Sequence, residues 1–204
     1  MFEIYKNYLK ELDTKLETAF QEQKPYIFCK KGCSDCCSRG EYPMSRFEFL
    51  YLIDGCKSLD TNSKSIINAR IKKLKKEFQK FSPTKKQPKF EHCCPFLIGN
   101  VCSIYSHRAL ICRTFGLIKT AKTIDGYDIA ILPDCIHKGL NYSNVYNPLK
   151  NEFDELKIAK INHKFPPTPY DISLQSIYEK MPDKSIDFSD RKNLIEFLME
   201  KNSV

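Results

Sequence analysis

The chain has 204 residues, 42% of them apolar, and 33 basic against 25 acidic side chains give a formal charge of +8. That length gives one domain with extensions and enough apolar content for an ordinary core. The longest apolar runs, such as FLYLI at 49–53, are too short to span a bilayer. The amino-terminal stretch MFEIYKNYLKELDTK is charged every few residues and lacks the apolar core and small-residue cleavage site of a signal peptide. A cytoplasmic chain with no membrane partner is therefore expected.

Taken in order, the elements read mostly as helices. Tyr5, Leu9, Leu12, Leu16 and Phe20 recur at spacings of three and four, which predicts a helix over 2–23, ended by Pro25. The segment SRFEFLYLID predicts a second over 45–54, with Ser45 and Glu48 at the spacing of a capping box. A third is expected over 63–81, with Ile67, Ile71, Leu74, Phe78 and Phe81 on one side. Lys72, Lys73, Lys75 and Lys76 cover the rest of it. With no aromatics among them, these lysines read as a solvated face. A zinc-stabilised nucleic-acid binder would need them to be continuous with Lys85 to Lys89, and the pattern argues against that partner.

The stretch SPTKKQPKFEHC reads as an exposed connector. Two β-prone runs flanking Asp125-Gly126 predict a hairpin over 117–132, a reversal that can return Cys135 toward Cys112. Helices are expected near 148–163, 173–181 and 189–201, the first with a stripe of Leu149, Phe153, Leu156 and Ile161. The fold expected is mainly α with a small β-hairpin, a metal-centred single domain. Its parts are an N-terminal helix over 1–28, a cysteine-cluster domain over 29–139 and a helical extension over 140–204 packed on it.

Eight of the ten cysteines carry the functional signal. Cys29, Cys33, Cys36 and Cys37 form C-x3-C-x2-C-C, and Cys94, Cys102, Cys112 and Cys135 follow. Cytosolic thiols are kept reduced, so clustered cysteines there favour metal ligation over disulfides. An all-sulfur donor set selects zinc or iron-sulfur chemistry. Gly32 gives the first loop access to positive φ. The side chains of Cys36 and Cys37 should diverge, so they face either separate metal centres or one polynuclear cluster. Eight thiolates around two divalent ions would lower the net charge to about +4, so part of the basic excess is a counterweight to the site.

These residues, with the segments CPFL, CSIYSHR and ICRTF, resemble the CxxCxxCC (YkgJ-like) cysteine-cluster family. The resemblance covers about residues 29–139. It departs at Arg108-Ala109, where the family has Arg-Pro, and in a first spacing of three residues rather than two. It implies that a metal ion, zinc or iron, alone or as an iron-sulfur cluster, is held by Cys29, Cys33, Cys36, Cys37, Cys94, Cys102, Cys112 and Cys135. Some relatives are labelled flagellin lysine N-methylases. That label implies an alternative, a cluster-dependent protein-lysine N-methyltransferase acting on a protein substrate with S-adenosylmethionine. The chain has only seven glycines and no G-x-G-x-x-G loop for such a cofactor.

Two other readings compete for the cysteines. Cys29, Cys33 and Cys36 reproduce the spacing of radical S-adenosylmethionine enzymes, but those resemble α/β barrels and a long helix precedes the motif here. Arg39, Arg108 and Arg113 could activate a nucleophilic thiol, yet eight thiols at ligand spacing account for more of the pattern. Arg108 and Arg113 are expected to support thiolate charge from behind the ligands. Cys56 reads as a buried small hydrophobe and Cys93 as a spare thiol. His92, His107 and His137 lie near cysteines and read as ordinary packed or surface histidines.

Overall fold

The computed structural model describes residues 2–29 and 32–201. Its elements in chain order are α1 (Glu3–Glu22), α2 (Asp35–Ser38), β1 (Pro43–Ser45), α3 (Arg46–Cys56), α4 (Thr61–Lys80), β2 (Leu97–Ile98), β3 (Val101–Cys102) and α5 (Leu110–Arg113). There follow β4 (Lys119–Lys122), β5 (Asp128–Ile131), β6 (Tyr146–Asn147), β7 (Glu152–Phe153), α6 (Glu155–Ile161), α7 (Leu174–Glu179), β8 (Arg191–Asn193) and α8 (Leu194–Glu200). The fold is mainly α, with its strands in antiparallel pairs β1·β8, β2·β3, β4·β5 and β6·β7. No described helix is long and apolar enough to cross a membrane.

The chain divides into two compact units, one of residues 1–30 with 113–183, the other of 31–112 with 184–204. In the first unit α1 buries Tyr5, Leu9, Leu12 and Leu16 of the predicted stripe, with Ala19 buried in place of Phe20, which is half-buried. A second apolar cluster joins Tyr26, Ile118, Ile136, Tyr142, Val145 and Tyr146. The β4·β5 hairpin turns with Gly126 at φ 85°, the left-handed position that a glycine fills without strain.

Residues 148–154 depart from the expected helix. The Asn147 side-chain oxygen accepts the amides of Leu149 and Lys150, and Asn151 sits at φ 56°, so the chain reverses into β6·β7. Helix α6 then starts late, capped by Asp154, which accepts the amides of Leu156 and Lys157. The expected stripe breaks accordingly: Leu149 is 96% exposed and Leu156 76%.

The second unit is built around α3, α4 and α8. Its core joins Met44, Phe49, Leu52, Ile67, Ile71, Phe96, Leu194 and Phe197, with Cys94, Cys102 and Cys112 packed against the edge. Helix α3 begins at the predicted capping box, Ser45 accepting the Glu48 amide and Glu48 accepting the Ser45 amide. Helix α4 is capped by Asp60 and runs to Lys80. The expected last helix is shortened because 191–193 pair with β1 before α8 begins.

Candidate metal centre

The first cysteine loop opens on Gly32 at φ 91°, a conformation that glycine adopts freely. Cys33 follows, and Cys36 and Cys37 lie in the single turn of α2, where the Cys37 amide donates to the Ser34 carbonyl at 2.9 Å. Their sulfurs are 3.9 Å apart. The sequence reading expects adjacent side chains to diverge. On a helical turn, however, consecutive side chains point only about 100° apart, and the sulfurs can approach each other. Two sulfurs bound to one tetrahedral zinc would stand about 3.8 Å apart, so the pair suits a shared ion. The hydrogen bond with Cys37, then burial, hold the Cys36 thiol far above the ordinary thiol range.

The Cys94 segment is tied to this loop by backbone. The Cys94 amide donates to the Cys37 carbonyl at 2.7 Å, and Gly40 and His92 exchange two bonds of 3.1 Å. Tyr42 closes the junction: its hydroxyl lies 3.0 Å from the carbonyls of both Cys37 and His92 and shares its one proton between them. Burial first, then the nearby Cys94, Cys37 and Cys112 thiols, raise the Tyr42 pKa, so the hydroxyl remains a donor. Tyr42→Phe keeps the ring packed on His92, 5.2 Å between centroids, and deletes this clamp. Metal affinity, measured against a competing chelator, should then fall roughly 10- to 100-fold, the cost usual for losing an outer partner of a metal site. An unchanged affinity would remove Tyr42 from the account.

Cys102 and Cys112 enter from two further devices. Gly99 and Asn100, at φ 56° and 60°, make the tight turn of β2·β3 that places Cys102 opposite Leu97. Cys112 lies in α5, whose Leu110 amide donates to the buried Glu48 carboxylate at 2.9 Å. Burial, then Cys102 and Cys36, push the Cys112 thiol up to about 12, with Arg108 opposing. Cys94 is likewise raised by burial first and then by Cys112. Arg108 acts in this way on Cys112, while its guanidinium lies 3.9 Å over the Tyr105 ring.

Cys29 and Cys135 belong to the first unit. The buried Asn141 side chain accepts the amides of Phe28 and Cys29, each at 2.9 Å, and donates to the Gly116 carbonyl at 2.9 Å. Gly116, at φ 96°, leaves the room this needs, since a Cβ there would stand 2.7 Å from Asn141 Nδ2. Cys135 is buried in the short 3-10 turn Asp134–Lys138 that ends at Gly139. Arg113 is buried with its guanidinium donating to Asp13 at 2.5 Å, a carboxylate partner that sequence reading did not foresee.

The remaining candidates are placed as follows. Cys56 is 2% exposed in the second core and its thiol donates to the Leu52 carbonyl. His92 is buried against Tyr42 and Phe90. His107 packs on Tyr51 and Gly55, and His137 is exposed beside Tyr146. Tyr42, Glu48 and Asn141 carry hydrogen bonds that position the cysteines. Only Glu48 gave a sequence signal, and only for its helix cap.

The thiols of Cys36, Cys94, Cys102 and Cys112 thus lie close enough to oppose one another's ionisation. A soft divalent cation would relieve that repulsion, and the donor chemistry fits zinc or iron. Among the described residues, no group of three or more His, Cys, Asp or Glu side chains already stands at ligating geometry.

A mainly helical fold that carries its clustered cysteines on short loops and single turns is that of a cysteine-cluster protein. Residues 28–128 match the family model CxxCxxCC, described as a "Putative zinc- or iron-chelating domain". The chain belongs to this family. Neither a curated protein nor a solved structure matches it.

Proposed function

We propose that this protein is a metal-binding module that chelates zinc or iron through its eight family cysteines, as thiolate-bound ions or as an iron-sulfur cluster. The observation that carries the reading is the 3.9 Å separation of the Cys36 and Cys37 sulfurs, close to that of two thiolates on one tetrahedral ion. Cys33, Cys94, Cys102 and Cys112 are the other members in the same unit. Cys29, in the first unit, lies within the matched segment 28–128, and Cys135, also in the first unit, follows that segment in the chain.

Chelation displaces the thiol protons and places positive charge among sulfurs that otherwise repel as they ionise. Arg108 adds a fixed cation whose effect on Cys112 favours the thiolate. Cys37→Ser and Cys112→Ser should each lower the metal that co-purifies with the chain, whereas Cys56→Ala, outside the set, should keep the wild-type content. Equal metal loss in Cys56→Ala and Cys112→Ser would contradict the assignment.

A further inference from the structure

Two donors outside the proposed ligand set, His92 and Cys93, line one cavity of about 450 Å³ in the second unit. Cys93 is exposed and immediately precedes Cys94. His92 is 6% exposed, and its Nδ1 lies 2.9 Å from the Cys93 carbonyl, which makes that nitrogen the N–H donor of a neutral ring. Nε2 is then left with a lone pair; it is buried and has no hydrogen-bond partner among the described residues. A bare imidazole nitrogen is a donor atom that zinc and iron accept.

The charged side chains of the cavity wall are engaged with other charged side chains or with backbone. The Arg70 guanidinium is occupied by the Leu97 carbonyl, and Lys73 stands 3.7 Å from Glu77. Glu91, on the same wall, pairs with Arg39 at 2.6 Å. Cys94 lines the same cavity, and its thiol is the more deeply buried of the neighbouring pair.

We propose that this cavity is the port by which the metal ion reaches the cluster, with Cys93 taking the incoming cation first and passing it to Cys94. The proposal rests on the metal-chelating reading above. In the transfer the metal–sulfur bond to Cys93 breaks as the bond to Cys94 forms. Cys94 gives up its thiol proton, Cys93 regains one from solvent, and the oxidation state of the metal does not change. His92, the residue before Cys93, carries the neutral ring whose Nε2 is unpartnered among the described residues.

The test is stopped-flow loading of the reduced, chelator-stripped full chain with Co²⁺, followed by thiolate-to-cobalt absorption. Capture at the port makes the second step intramolecular, so Cys93→Ser should load about tenfold or more slowly. Its final absorbance and metal stoichiometry should equal wild type. His92→Phe, which keeps an aromatic ring against Tyr42 and Phe90, should also load slowly to the same endpoint. Wild-type rates in both variants would overturn the port. A lower endpoint in Cys93→Ser would overturn it too, by making Cys93 a resident ligand. A wild-type chain that takes up no Co²⁺ would overturn the metal reading itself, and the port with it.

Discussion

Asn141→Ala should destabilise the first unit by about 3 kcal/mol, because it strands three backbone groups that one buried amide now satisfies. The Phe28 and Cys29 amides lose their acceptor and the Gly116 carbonyl loses its donor. Asn141 is fully buried, so water cannot replace those bonds without opening the packing around them. For a unit of this size the loss corresponds to a drop of roughly 10 °C or more in melting temperature. Hydrogen exchange should locate the effect, with the amides of Phe28 and Cys29 losing protection first. Asn141→Asp should not rescue it, because a carboxylate oxygen would then face the Gly116 carbonyl. A melting temperature within a degree or two of wild type would show that Asn141 does not hold this segment.

Glu48→Ala should cost the second unit a similar amount, about 3 kcal/mol, from a different geometry. The Glu48 carboxylate is 1% exposed and accepts the Ser45 amide, the Ser45 hydroxyl and the Leu110 amide. Two of these bonds cap α3, and the third fixes the start of α5, two residues before Cys112. The variant should therefore lose metal as well as stability, whereas an ordinary cap deletion would lose only stability. Glu48→Gln keeps one acceptor oxygen and should recover part of both. Normal metal retention in a clearly destabilised Glu48→Ala chain would uncouple the cap from the cysteine site.

The helices that bury one regular stripe were legible in the sequence. Helix α1 follows its Tyr5-to-Leu16 spacing, and α3 starts where Ser45 and Glu48 place a capping box. The reading failed where short polar side chains competed with the helix for backbone bonds. Asn147 captured the amides of Leu149 and Lys150, and the predicted helix over 148–163 began instead at Glu155. Strand pairs of two or three residues, such as β1·β8, leave too short a pattern to recognise and join residues far apart in the chain.

The candidate site was legible as a list of donors, since eight cysteines at ligand spacing are visible without any fold. Their supports were not. Tyr42 bridges two carbonyls and Asn141 bridges three backbone groups, and neither role leaves a local motif. The relation between Cys36 and Cys37 was also misjudged, because the expectation of diverging side chains holds for extended chain and not for the turn of α2.

The central claim, that the cysteines hold a metal, is tested most directly by purifying the chain anaerobically and measuring its metal content together with its visible absorption spectrum. The account predicts stoichiometric zinc in a colourless protein, or iron with acid-labile sulfide in a brown one. A chain that carries neither metal, with its family cysteines oxidised in pairs, would contradict it.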